Sequence, residues 1–115
     1  MRVISKKRLR EFWQRHANAR APLEEWYAVT RKANWQKFTD VKTTYRAADS
    51  VNQFVVFDIG GNKFRLIAFI DYEWGKLFVR AVLTHKEYGK GIWKTDDFGT
   101  IRRRRSKKGN GDETR

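Results

Sequence analysis

Side chains suited to phosphodiester chemistry fall close together at one end of a predicted β-sheet. Arginine and lysine stabilise phosphoryl charge, histidine exchanges protons near neutral pH, and a tyrosine phenol donates a proton or stacks on a base. The cluster consists of four such residues and two neighbours: Arg65, His85, Lys86 and Tyr88, with Lys63 and Asp58 nearby. These residue types indicate chemistry at a phosphate group, and that chemistry needs no metal.

Three antiparallel strands position this cluster. β-Branched and aromatic residues between glycine-containing turns predict strands over residues 54–59, 63–72 and 77–84. The turns are Gly60-Gly61-Asn62 and Trp74-Gly75, both short enough for neighbouring strands to pair directly. The last strand leads directly into the sequence THKEY, so the cluster lies where the chain leaves the sheet.

The predicted register sorts the strand side chains onto two faces. If Trp74 and Gly75 form a two-residue turn, Arg65 faces Thr84 and Phe69 faces Arg80. One face is then free of charge: Val55, Phe57, Ile59, Phe64, Leu66, Ala68, Ile70, Val79, Ala81 and Leu83. The other face carries an apolar patch, including Val82, that is bordered by four ionisable residues: Asp58, Lys63, Arg65 and Arg80. This second face is the predicted working surface.

Helical patterns precede the strands. Ser5 is a suitable N-cap for a first helix through about Ala17, and Pro22 lies in the first turn of a second helix that reaches about Asn34. A short helix from Thr39 or Asp40 to about Tyr45, a loop through Gln53 and a possible short edge strand at residues 2–5 complete the pattern. The sequence therefore predicts an α+β fold, with N-terminal helices packed on the charge-free face of a small antiparallel sheet of three to four strands.

Composition indicates a polyanionic partner. The 115 residues include 26 Lys and Arg against 13 Asp and Glu, a formal net charge of +13, which favours nucleic acid first and an acidic protein second over a merely solvated surface. We predict one domain over residues 1–93 and a basic, disordered tail over residues 94–115, which contains a four-arginine run.

Several other classes of site lack support in the sequence. Cysteine is absent, which excludes disulfides and thiolate metal sites and fits a reducing cytoplasm, and the only histidines, His16 and His85, have no metal-ligand spacing. No phosphate-binding loop motif is present, and no apolar run approaches the length of a membrane span. We therefore expect no metal, no cofactor and no membrane association.

The chain resembles the HigB family of bacterial toxins within the RelE/ParE superfamily. The resemblance is carried by FVVFDI followed by GGNKFRL, and by FVRAVL followed by THKEY. The resemblance covers about residues 1–93. It implies a RelE-like fold and a metal-independent endoribonuclease, an mRNA interferase that cuts mRNA on the translating ribosome and is inhibited by a HigA-like helix-turn-helix antitoxin. In that reaction the ribose 2′-hydroxyl attacks the adjacent phosphate.

The resemblance also implies roles for individual residues. Arg65 matches a strand arginine that contacts the scissile phosphate in RelE-like toxins, and Tyr88 matches a tyrosine near the carboxyl end of several of them. His85 or Lys86 occupies the place of a basic residue after the last strand. We expect His85 to act as general base or acid, Arg65 and Lys86 to bind phosphate, and Tyr88 to stack or donate a proton. Lys63 and Arg80 supply supporting positive charge.

The identity of the general base stays open at this stage. RelE has lysines on the strand before the glycine turn, where this chain has Val56 and Asp58. Asp58 accepts a proton, orients His85, or pairs with Arg65 across the hairpin, and we favour the pairing.

Two other functions fit the same residues less well. A toxin of this fold that inhibits a protein target such as DNA gyrase would not need His85 or Tyr88, and a small RNA-binding or ribosome-associated module would need only the basic surface. An imidazole beside a phenol and a guanidinium favours catalysis.

Overall fold

The computed structural model describes residues 1–91 and residue 93, so the predicted tail over residues 94–115 lies outside the described residues. A first compact unit comprises Met1–His85, and a second begins at Lys86. The predicted working residues Lys86 and Tyr88 belong to the second unit.

Three helices precede the main strands: α1 (Lys6–Arg15), α2 (Arg20–Lys32) and α3 (Phe38–Thr44), with a 3-10 turn at Ala17–Ala19. Ser5 occupies the N-cap position of α1 with an extended backbone, and α1 ends one residue before His16, whose backbone leaves the helical region (φ −130°, ψ 83°). Pro22 lies in the first turn of α2, where its missing N–H costs no helical hydrogen bond.

The sheet has five strands, in the order β1-β5-β4-β3-β2, rather than the predicted three to four. The strands are β1 (Arg2–Ile4), β2 (Asp49–Val51), β3 (Phe54–Ile59), β4 (Phe64–Asp71) and β5 (Lys76–Thr84), and a short helix α4 (His85–Gly89) follows. The edge strand β1 was predicted, but it pairs parallel with β5, while the other neighbours are antiparallel.

The prediction of a loop through Gln53 was wrong at β2. Asp49–Val51 pairs with Phe54–Val56 through a tight turn at Asn52 and Gln53. Asn52 adopts a left-handed backbone conformation (φ 56°), which asparagine tolerates better than most residues. The polar sequence Asp49-Ser50 concealed this strand because it resembles a loop.

The predicted register between β4 and β5 was also wrong. The connection is the four-residue loop at residues 72–75, because Asp71 pairs with Lys76. A β-bulge follows: Ile67 pairs with Ala81 and Ala68 with Val79, so Arg80 is the extra residue.

The bulge changes which side chains of β5 share a face. Arg65 pairs with Leu83 instead of Thr84, and Phe69 pairs with Phe78 instead of Arg80. Val82, which was predicted on the working face, packs against the core, while Ala81 and Leu83 share the face of Ile67 and Arg65. One inserted residue thus moves the side chains of β5 that follow it to the opposite faces of the sheet.

The helices pack on the predicted charge-free face of β3 and β4, as expected. Phe57 is fully buried at the centre of an aromatic cluster. Its ring lies 5.4 Å from Trp26 and 5.4 Å from Tyr45, both edge-on, and 6.1 Å from Trp35, nearly parallel. This cluster fixes α2 and α3 against β3.

The opposite face is less accessible than its sequence suggests. Phe54, Val56 and Ile67 are exposed by only 1%, 2% and 0%. Phe69, Ala81 and Leu83 on this face are half-buried, and the exposed ionisable residues Asp58 and Lys63 lie at its end. Among the described residues, no helix is long and apolar enough to cross a membrane.

Candidate active site

Arg65 lies at the centre of the candidate site. It is the cross-strand partner of Asp58, and its Nε lies 3.1 Å from Asp58 Oδ1. Arg65 is only 8% exposed, and an arginine is buried to this degree in proteins only when its charge is compensated. The predicted pairing of Asp58 with Arg65 is confirmed, and it leaves Asp58 less suited to act as a base.

Asn62 provides further contacts to the guanidinium. Arg65 Nη1 donates to the carbonyl oxygens of Asn62 and Phe64, both at 3.2 Å, and Nη2 donates to Asn62 Oδ1 at 2.6 Å. The preceding turn brings Asn62 into this position because Gly60 and Gly61 both adopt positive φ (64° and 71°). Sequence reasoning treated Asn62 only as a turn residue. The available signal was an acceptor side chain three residues before a strand arginine.

His85 lies at the same end of the sheet. Its backbone N–H donates to the carbonyl of Lys63 at 3.1 Å, which joins the end of β5 to the start of β4. The side chains of His85 and Lys63 are exposed. The structure therefore places Asp58, Lys63, Arg65 and His85 at one end of the sheet, with the guanidinium held by several contacts and the imidazole and ammonium open to solvent.

The three other predicted site residues are Arg80, in β5, and Lys86 and Tyr88, in the second unit. Arg80 is at the bulge, farther from the strand end than Leu83, and its carbonyl accepts a hydrogen bond from Arg8 Nη1 at 3.3 Å. In the second unit, Lys86 is exposed on α4, and Tyr88 stacks on Trp93 with ring centres 5.1 Å apart. Trp93 Nε1 also donates to the Tyr88 carbonyl at 3.0 Å.

No cluster of three or more His, Asp or Glu residues with metal-binding geometry occurs in residues 1–91 and 93. The guanidinium, imidazole and ammonium groups of the described site are groups that bind anions and transfer protons. A fixed guanidinium stabilises negative charge that develops on a phosphate, and an exposed imidazole transfers protons.

Residues 19–91 match a family model for HigB_toxin, a RelE-like toxic component of a toxin–antitoxin system. The chain belongs to the HigB toxin family. The matched range contains β2 to β5 and all seven residues that the sequence singled out for the site.

Individual HigB proteins support the same relationship. The mRNA interferase HigB of Escherichia coli O6:H1 (strain CFT073) is 29% identical over 93 residues, which cover 78% of this chain and 90% of that protein. The mRNA interferase toxin HigB of Escherichia coli K12 is 27% identical over 111 residues, 94% of this chain and 100% of that protein. A HigB of Shigella flexneri matches to the same extent.

Removing the Asn62 side chain from this HigB toxin is expected to loosen Arg65. Asn62→Ala deletes the 2.6 Å bond to Nη2, and losing one hydrogen bond to a charged group costs about 1.5–3 kcal/mol. We expect mRNA cleavage to fall by about tenfold or more, a factor that corresponds to about 1.4 kcal/mol. Quantified 5′ ends of cellular mRNA after induction measure the effect.

Asn62→Asp is the matched variant because it keeps an acceptor at Oδ1. It is expected to retain most of the cleavage that Asn62→Ala loses. Equal cleavage by Asn62→Ala and the unaltered chain would show that the turn does not position Arg65 for the reaction.

Proposed function

We propose that this HigB family toxin is a metal-independent endoribonuclease that cleaves mRNA on the translating ribosome. It acts in the cytoplasm and is held inactive by a HigA-like helix-turn-helix antitoxin. The observation that carries the proposal is a buried guanidinium, held by Asp58, Asn62 and Phe64, at the same end of the sheet as an exposed imidazole. The relatives named as mRNA interferases support it.

The proposed reaction is an internal transesterification. The ribose 2′-oxygen forms a bond to the adjacent phosphorus while the bond from phosphorus to the 5′-oxygen breaks. The products are a 2′,3′-cyclic phosphate and a free 5′-hydroxyl. One proton leaves the 2′-hydroxyl and one is delivered to the 5′-oxygen, and no oxidant, reductant or water is consumed.

The residues divide this work by their chemistry. Arg65 stabilises the charge that builds on the phosphate, because its orientation is fixed before substrate binds and no rearrangement is needed during the reaction. His85 transfers protons as general base or acid. Lys63 and Lys86 add positive charge for the RNA backbone, Tyr88 stacks or donates a proton, and Arg80 contributes more distantly to the basic surface.

The net charge supports RNA as the substrate class. A chain with a formal net charge of +13 attracts the phosphate backbone over long range, in a way that weakens as salt is added. Half or more of the contacts that proteins make to nucleic acids go to phosphate and sugar, so this attraction positions the chain without choosing a sequence.

Replacing His85 tests the proposal directly. After induction in a bacterial host, the unaltered toxin is expected to arrest growth and create new mRNA 5′ ends within translated frames. His85→Ala is expected to reduce the new ends by about 100- to 10,000-fold, the usual contribution of a positioned proton donor or acceptor. Because the side chain is exposed, the change is expected to alter folding stability by less than about 0.5 kcal/mol.

Other outcomes point to other functions. Growth arrest without new 5′ ends, or arrest that persists in His85→Ala, contradicts cleavage and favours a protein target such as DNA gyrase. RNA binding without arrest favours a small RNA-binding or ribosome-associated module. A melting curve of purified His85→Ala separates lost chemistry from lost folding.

A further inference from the structure

A cleft of about 260 Å³ lies beside the candidate active site, between α2 and the edge of β3. β2 pairs only with Phe54–Val56, so among the described residues no strand pairs with residues 57–59 on that side. The cleft occupies this open edge. Asp58 lines it together with Gly60 and Gly61, which immediately precede the arginine-binding Asn62. The cleft and the Arg65 site therefore share Asp58 and the same turn.

One wall of the cleft is flat and apolar. α2 contributes Pro22, Trp26 and Val29, and Val29 is one of the few large apolar side chains left substantially exposed, at 40%. On the other side, Gly61 has no side chain, and nothing in the structure lies within 4 Å of where a Cβ would be. The accessible part of this wall is Pro22 and Val29, with Trp26 buried behind them, and an apolar wall facing a bare turn suits a planar ring.

The polar groups of the cleft are unusual for so basic a chain. It is lined by two carboxylates, Glu25 and Asp58, although the formal net charge is +13. Arg65 neutralises Asp58, whereas Glu25 is exposed and forms no ion pair within residues 1–91 and 93. Glu25 is therefore an unused hydrogen-bond acceptor at the mouth of an aromatic cleft.

Two aromatic residues in the wall carry polar groups, Trp26 and Tyr45. Trp26 is 2% exposed, and its indole Nε1 has no hydrogen-bond partner in the described part of the chain. Burial raises the pKa of the Tyr45 phenol; a side-chain hydrogen bond with Thr30 lowers it in part, and the nearby charge of Glu25 raises it. The Tyr45 hydroxyl donates to the Trp26 carbonyl at 3.5 Å, which ties together the two aromatic residues of the wall.

We propose that this cleft accepts one nucleobase of the RNA and that Glu25 selects guanine. The inference rests on the proposed function, because the Gly60-Gly61 turn and Asp58, the ion-pair partner of Arg65, both border the cleft and place it next to the residue proposed to bind the phosphate. Stacking on apolar and aromatic side chains is the usual way in which proteins hold an unpaired base.

The chemistry of a carboxylate explains the choice of base. An ionised carboxylate only accepts hydrogen bonds, and its two oxygens suit two adjacent donors. Guanine presents such a pair at N1–H and N2–H on its Watson–Crick edge. Adenine and cytosine present one amino donor next to a ring acceptor that a carboxylate repels, and uracil places its N3–H between two carbonyl oxygens. Guanine is thus the base that Glu25 binds best.

The first test replaces Glu25 and maps the cut sites. The unaltered toxin is expected to show guanine enrichment at one position beside the cut. Glu25→Gln is expected to reduce that enrichment by about tenfold, since a good bidentate contact contributes on the order of 1–3 kcal/mol of discrimination. Glu24→Gln is the matched control, because Glu24 neighbours Glu25 on α2 but pairs with Arg20 at 3.3 Å and does not line the cleft. It is expected to leave the preference unchanged.

The outcomes separate this inference from the proposed function. If Glu25→Gln still cleaves mRNA and its base preference is unchanged, the inference is overturned, while the proposed endoribonuclease function stands. The absence of cleavage by the unaltered toxin overturns the proposed function itself. If Glu25→Gln leaves the base preference unchanged but weakens binding of the antitoxin, the inference is overturned as well. The cleft would then bind a basic side chain of a protein partner.

A binding measurement gives a second, independent test. The indole N–H signal of Trp26, assigned with Trp26→Phe, is followed by NMR during titration with guanosine 5′-monophosphate and, separately, adenosine 5′-monophosphate. Guanosine monophosphate is expected to shift the signal at concentrations about tenfold lower than adenosine monophosphate, and Glu25→Gln is expected to remove the difference. Equal shifts by the two nucleotides in the unaltered chain would contradict the selection of guanine.

Discussion

Replacing Arg65 by alanine is expected to abolish growth arrest and to lower mRNA cleavage by on the order of 100- to 1,000-fold, the cost of removing one preorganised donor from an active site. The substitution removes the charge that we propose stabilises the phosphate, and it leaves Asp58 without its 3.1 Å partner. The abundance of new mRNA 5′ ends, normalised to toxin level, measures the effect.

Arg65→Lys distinguishes geometry from charge. Lysine keeps the positive charge but lacks the planar fork that reaches Asp58, the two backbone carbonyls and Asn62 together, so it is expected to recover only a small part of the activity. Arg46→Ala, at an exposed arginine outside the site, is the control and is expected to retain full activity. Full activity in Arg65→Lys would mean that charge alone is required.

Phe57→Ala is expected to cause the largest loss of stability. It removes a fully buried ring that contacts Trp26, Trp35 and Tyr45. Deleting such a side chain costs about 3–5 kcal/mol and lowers the melting temperature by about 10–20 °C. Circular dichroism during thermal or urea unfolding measures the loss.

Two variants show whether the effect comes from the cavity. Phe57→Leu refills much of the space and is expected to cost clearly less than Phe57→Ala. Trp74→Ala removes an even larger aromatic side chain, but Trp74 is 70% exposed, so the melting temperature is expected to change little. Similar destabilisation by Trp74→Ala and Phe57→Ala would contradict the packing that fixes α2 and α3 on β3.

Local patterns were sufficient to predict the main elements of the fold. The strands β3, β4 and β5 were found because apolar residues lie between turns, and the two long helices were found because their apolar positions recur at helical spacing. The ion pair between Asp58 and Arg65 was also predictable, since a short glycine turn fixes the register of the hairpin that carries them. Because of that turn, the Asp58–Arg65 pair at the centre of the site could be predicted from the sequence.

Features that depend on one extra residue were not predictable in the same way. Nothing in the sequence around Arg80 distinguishes a bulge from a regular strand, although the bulge moves Val82 towards the core and Leu83 beside Arg65. Asn62 was missed because its role depends on a side chain turning back towards Arg65, and Glu25 because the cleft requires a helix and a distant turn to meet.

The parallel pairing of β1 with β5 has a consequence for synthesis of the chain. It joins Arg2–Ile4 to Lys76–Phe78, segments from opposite ends of the first unit, and long-range contacts of this kind form late because closing the intervening loop costs entropy. Translation releases β1 first, so β1 has no partner until β5 has left the ribosome. By then β3 and β4, with Asp58, Asn62 and Arg65, have also emerged. The five-stranded sheet therefore cannot be completed until nearly all of the first unit has been synthesised.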